Sequence, residues 1–171
     1  MNFSKLIGLD IIGIELGNLS SISPQENIIL RMDKKNTITN YFPYLITANN
    51  IRYLDNRTDI FLMDPFQGKD VLKRRVRRGL GIEISIAPVR KLNAHLVARW
   101  LKELESIYIF CQSNDCQFIL SSGASSINEM ISAKSFESIL TVAGIDAKTY
   151  WKKISEWLYA RSKAKWQYAE S

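Results

Sequence analysis

GIEISIAPVRKLNAHLVARWLKELESIYIFCQSNDCQFILS, residues 81–121, reads as two short strands joined by one helix. The outer pieces, Gly81 to Ala87 and Gln117 to Ser121, are β-branched and aromatic and too short for helices. Between them, from Asn93 to about Phe110, the residues Ala94, Val97, Ala98, Leu101, Leu104 and Tyr108 fall within one arc. That arc predicts an amphipathic helix with this stripe on the core. A strand, a helix and a strand of these lengths make a crossover unit, so the two strands are expected to be parallel.

Four more strand candidates precede this unit: Ile11 to Leu16, Asn27 to Met32, Tyr44 to Ala48 and Asp59 to Met63. Most of the six are apolar on consecutive residues, the pattern of strands buried on both faces. Helices are expected at the start of the chain, where Phe3, Leu6 and Ile7 share a face, and over Lys69 to about Arg78. Two more span Ser135 to Ala143 and Asp146 to about Lys165, divided by Gly144. Phe136, Ile139, Leu140 and Ala143 form the core face of the first, and Tyr150, Trp151, Ile154, Trp157 and Leu158 that of the second. The link between the first two strand candidates has room for a turn but hardly for a crossover helix. The expected fold is α/β: one domain over residues 1–171, a shortened TIM-like (β/α) barrel of about six or seven mostly parallel strands with outer helices.

Composition is ordinary for a globular chain, with 46% apolar and 23% charged residues. No stretch approaches the roughly 20 apolar residues that span a bilayer. The start, MNFSKLIGLDIIG, lacks the basic flank and cleavage site of a signal peptide, so a cytoplasmic location without a membrane partner is expected. Net charge is +6, but it is unevenly placed. Lys69 to Arg78 holds six bases and one acid. On a helical wheel Leu72, Val76 and Leu80 form a narrow ridge, and Lys73, Arg74, Arg75, Arg77 and Arg78 occupy most of the remaining circumference. Such a helix would dock by its ridge and turn its cations to a polyanion.

Other features carry weaker signals. Lys148, Lys152, Tyr159 and Lys163 share the outer face of the last helix, which suits phosphates and a stacked base or simply solvent. His95, the only histidine, falls on the polar side of its helix beside Arg99 and Lys102, an environment unfriendly to a metal. With one histidine, Cys111 and Cys116 cannot complete a Cys/His zinc site, and they are expected as structural thiols. Glu15, Glu83 and Asp64 lie in or after strands and could hold magnesium, although a structural role such as pairing with a buried arginine is simpler. Ser121-Ser122-Gly123-Ala124-Ser125 ends the last strand with small residues able to expose N–H groups to a phosphate, but it matches no nucleotide motif.

The order of four stretches resembles the archaeal ribonuclease P protein component 3 family. These are Asp55 to Pro65 (DNRTDIFLMDP), Gly81 to Val89 (GIEISIAPV), Gln117 to Met130 (QFILSSGASSINEM) and Ser135 to Ile145 (SFESILTVAGI). The likeness covers about Asn50 to Ile145. Where that family has an Arg-Ser-Pro-Arg-Asp-like stretch, this chain reads Ile131-Ser132-Ala133-Lys134-Ser135, keeping one charge. The family's usual opening strand has no counterpart ahead of Ile11 to Leu16.

The resemblance implies a barrel-type, non-catalytic subunit of ribonuclease P, in which an RNA subunit with magnesium removes the 5′ leader of precursor tRNA. It implies no cofactor bound by the protein itself. Its partners would be the ribonuclease P RNA, precursor tRNA indirectly, ribonuclease P protein component 2 and other proteins of the particle. The cations expected on RNA are Lys73, Arg74, Arg77, Arg78, Arg90, Lys91, Arg99 and Lys134. Two other classes stay open: a metal-dependent barrel phosphoesterase using the strand-end carboxylates, and a protein-interaction scaffold.

Overall fold

The computed structural model describes residues 31–33, 45–124 and 127–167. Five strands, β1 (Arg31–Asp33), β2 (Leu45–Ala48), β3 (Ile60–Leu62), β4 (Gly81–Ser85) and β5 (Gln117–Ser121), form one sheet. They stand in the order β1-β2-β3-β4-β5, and every neighbouring pair is parallel. Helix α1 (Ala94–Ser113) joins β4 to β5, and α2 (Ala133–Val142) and α3 (Ala147–Gln167) follow β5. The expected opening helix, the strand candidate at Ile11 to Leu16 and most of that at Asn27 to Met32 lie outside the described residues.

Consecutive order has a physical consequence. Each described strand steps one place in the same direction, so right-handed crossovers from β2 to β3, β3 to β4 and β4 to β5 would share one face of the sheet. Packing agrees with this. The connection from β3 to β4 lies against α1, where the Arg99 guanidinium sits 5.3 Å from the centre of the Phe66 ring and Lys69 bonds the Ser106 side chain. Register and alternation place Ile46, Ala48, Phe61, Ile82, Ile84, Phe118 and Leu120 on one face, all buried. Tyr108 of α1 meets Phe118 there edge-on, at 5.7 Å between ring centres. The other face carries Leu45, Thr47, Ile60, Glu83, Ile119 and Ser121, also buried. A sheet covered on both sides is what the unbroken apolar runs implied.

Two expectations need correction. The stripe that α1 buries is Trp100, Leu104, Ile107 and Cys111, with Val97, Leu101 and Tyr108 half-buried at its edges. Ala94 and Ala98 are exposed, because a methyl group gains little from burial while the indole of Trp100 gains a great deal. The basic run is not an α-helix. Lys69–Val71 is a single 3₁₀ turn, continued by one further turn in which Val76 N–H reaches Leu72 O at 2.8 Å. The chain then breaks at Arg77, whose guanidinium turns inward to the Thr58 carbonyl, and at Gly79, where φ is +77°. Adjacent cations on a short helix also repel one another. Leu72 and Leu80 are buried as their apolar character demands, but by an irregular chain.

The last two helices match expectation more closely. Gly144 follows α2 with φ +72°, and Phe136, Leu140 and Ala143 are buried. Tyr150, Trp151, Ile154 and Leu158 are buried along α3. This helix crosses the N-terminal ends of the strands. Trp157 Nε1 and Arg161 donate to Gly79 O, just before β4, at 2.9 and 2.6 Å. Further along, Lys165 and Arg161 reach Asp59, just before β3, at 2.8 and 3.7 Å.

Tyr150 does something different. Within β5 the residues Gln117, Ile119 and Ser121 bond to β4, which points the N–H and C=O of Leu120 away from β4, to the outer side of the strand. The Tyr150 hydroxyl accepts from Leu120 N at 2.9 Å and lies 3.4 Å from Leu120 O as a donor. Tyr150→Phe keeps the ring and strips these buried groups of their partner, at an expected cost of about 1–3 kcal/mol. Urea unfolding at constant m-value measures it; an unchanged midpoint would mean the edge finds another partner.

Candidate nucleic-acid interface

The parallel sheet sorts the candidate cations into two groups. Connections that leave the strands begin at the C-terminal rim, where Ser85, Ser121 and the turns after them lie. The 3₁₀ turn Ala87–Lys91 follows β4 and carries Arg90 and Lys91. Arg90 donates to the Glu129 carbonyl and so ties this turn to the one after β5. Lys91 is exposed. Arg99, in the second turn of α1, stays exposed above Phe66, whose own turn is capped by Asp64 accepting from Phe66 N at 3.0 Å. Lys134 is exposed in the first turn of α2. A cation at the positive end of a helix dipole is unfavourable by about 0.3–1 kcal/mol, a cost that an anionic partner would relieve.

The small-residue strand end shapes this rim. Gly123 has φ +62°, and a Cβ there would come within 1.9 Å of Ser85 Oγ and 3.1 Å of Ala87 Cβ. The β4 and β5 exits therefore touch at Gly123. Ser122 is buried, and its hydroxyl accepts from Ala124 N at 3.2 Å, holding the turn.

The second group lies on the connection that descends to the N-terminal ends of β4 and β5. Lys73 pairs with Asp70 at 2.5 Å, and its hydrogen bond, then its charge, hold the Asp70 carboxyl below its usual range. Arg74 and Arg75 are exposed. Arg78 is exposed, with a loose 3.9 Å approach to Asp115. Arg77 does not belong with them. Its guanidinium is committed to Thr58 O, and its backbone carbonyl accepts from Cys116 Sγ at 3.3 Å, so it fastens the connection to the sheet. Arg75 takes its place as an exposed cation, a role the wheel offered but the shorter set of expected contacts omitted. Because β4 alone is about 16 Å long, the two groups do not form one patch.

The remaining candidates separate in the same way. Asp64 spends its carboxylate on a cap, Glu83 is buried in mid-strand, and Glu15 lies outside the described residues. Among the described residues no three His, Cys, Asp or Glu side chains gather in a metal-binding arrangement. His95 is exposed in the first turn of α1. Cys111 and Cys116 are both free and line a cleft of about 130 Å³ with Tyr108, Asp115 and Lys153. Burial first, and then the Asp115 charge, push the Cys116 thiol up to about 11; burial and its neighbour Cys116 push Cys111 higher still. Burial thus favours the thiol form of both near neutral pH.

What the sequence did not reveal is Asp59. It is 2% exposed and accepts from Ile46 N at 2.9 Å while pairing with Lys165 and Arg161. Its carboxylate serves the fold rather than an interface.

Two outcomes follow from this geometry. Gly123→Ala should cost roughly 1–3 kcal/mol, from positive φ and the clash with Ser85, and Ser85→Gly in the same chain should recover part of it; full stability of the single variant in a urea titration would refute the contact. The Cys116 thiol favours the folded state while it is neutral. Its contribution is complete below the ordinary value of 9.0 and is lost as pH rises towards about 11, so the urea midpoint should fall across that window and less so in Cys116→Ser. No family model matches this chain, and no curated protein matches it in sequence.

Proposed function

We propose that this chain is a non-catalytic protein subunit of ribonuclease P, supporting the catalytic RNA in removing the 5′ leader of precursor tRNA. The observation that carries the reading is the cationic C-terminal rim of a consecutively ordered parallel sheet. Barrels of alternating strands and helices present their working loops at that rim. Here the rim holds Arg90, Lys91, Arg99 and Lys134, and its strand end is the Ser-Ser-Gly-Ala turn on which the family resemblance partly rests.

In this reading the sheet is part of a shortened (β/α) barrel, one-directional winding being how such a barrel curls toward closure. The protein works in the cytoplasm beside ribonuclease P protein component 2, holds no cofactor of its own, and leaves magnesium to the RNA. Its cations neutralise backbone phosphates and let the RNA domain fold at lower magnesium. The hydrolase alternative draws less support, since Asp64 is occupied as a turn cap.

The test is reconstitution. Adding this chain with a component 2 subunit to the catalytic RNA should lower the magnesium needed for leader removal. The triple charge reversal Lys91→Glu, Arg99→Glu, Lys134→Glu should abolish that gain and reduce the salt slope of RNA binding by about 2–3 units. Leader removal indifferent to the protein, or phosphoesterase turnover by the protein alone, would overturn the proposal.

A further inference from the structure

The outer face of α3 has properties that neither the fold nor the rim requires. Residues 147–167 hold six bases and one acid. Arg161 and Lys165 face the sheet and are paired, whereas Lys148, Lys152 and Lys163 are exposed and make no ion pair among the described residues. At 100° per residue these three lysines lie within one narrow arc with Tyr159, opposite the buried stripe. Tyr159 is 70% exposed, an aromatic ring of that size left in water in the middle of a cationic row. Glu156 also stands on this arc, as its only acid.

The helix is fixed where the basic connection ends. Trp157 and Arg161 both donate to Gly79 O, next to exposed Arg78. These contacts hold the inward face of α3 against the strand ends opposite the rim, and so turn the lysine row outward, away from the sheet. Residues 69–78 and 147–167 each carry +5 against +6 for the whole chain, so the rest of the sequence is net acidic.

We propose that this end is a second RNA-binding surface, selective for unpaired nucleotides, so that one chain bridges two RNA segments. Tyr159 stacks on an exposed base, and Lys148, Lys152 and Lys163 hold the neighbouring phosphates. An aromatic ring in a row of cations takes single strands because an unpaired base offers a free face, whereas a duplex keeps its faces stacked. Lys148 to Lys163 spans about 22 Å of helix, room for a few nucleotides. The inference rests on the RNA-binding reading above and extends it from one surface to two.

Native mass spectrometry of the full chain with a short unpaired oligoribonucleotide tests it, with fluorescence anisotropy supplying affinities. The wild-type chain should take up two copies. The variant Lys152→Glu, Tyr159→Ala, Lys163→Glu should take up one, as should the rim triple variant, and the two together none. Tyr159→Ala alone should weaken the second site about tenfold, with Tyr159→Phe within about twofold of wild type, and a matched duplex should show no such dependence. Thermal unfolding of the α3 variants should be unchanged, since every altered side chain is exposed. If the chain binds no RNA, the proposed function fails and this inference with it. A single copy on the wild type, or two copies on the α3 variant, overturns the inference alone. So does displacement of nothing but an acidic peptide from this face, which would assign it to a protein partner.

Discussion

One buried carboxylate holds three strands and a helix in register. Asp59 takes the Ile46 N–H with its side chain, bonds Ile46 O and Gly81 N through its backbone, and faces the cations of Lys165 and Arg161. Removing the acid would take this carboxylate from the largely buried Lys165 ammonium, the costly way to break a buried pair. An apolar substitute could not bond a strand amide and two helix cations at once. The gain is positional: α3 is fixed across the strand ends in one orientation, and that fixes which of its faces meets water.

This arrangement divides the cations of the molecule by task. Arg77, Arg161, Lys165 and Lys69 turn inward and satisfy carbonyls, a carboxylate or a hydroxyl. Arg74, Arg75, Lys91, Lys134 and the outer lysines of α3 remain in solvent. A guanidinium suits the inward work because its fork reaches two acceptors and stays charged when partly buried. Counting bases along the chain mixes the two populations, and only the direction each side chain takes separates them.

That is also where the sequence was readable and where it was not. The crossover unit of residues 81–121, the doubly buried strands and the Gly144 joint follow from local patterns that depend on few distant contacts. The 69–78 segment misleads because Leu72, Val76 and Leu80 keep a helical spacing for reasons of burial alone. What breaks the helix is a carbonyl nineteen residues earlier, at Thr58, which no local pattern announces. The stripe of α1 was rotated for a similar reason: Trp100 and Cys111 find their place against other elements, and alanine is too indifferent to mark a face. Of the rim, Arg90, Lys91, Arg99 and Lys134 were visible as charges, but their common end of the sheet became apparent only once the strands proved parallel and consecutive.

The hydroxyl of Tyr150 carries a last implication. An unpaired strand edge is an invitation to other chains, and proteins commonly blunt it with charge, proline or a bulge. Here a single phenol on a helix occupies the outward groups of Leu120 and leaves the rest of β5 beneath α3. Among the described residues, β5 thus meets a side chain on its outer side where β2, β3 and β4 each meet another backbone, and one phenol stands in for a strand at that point.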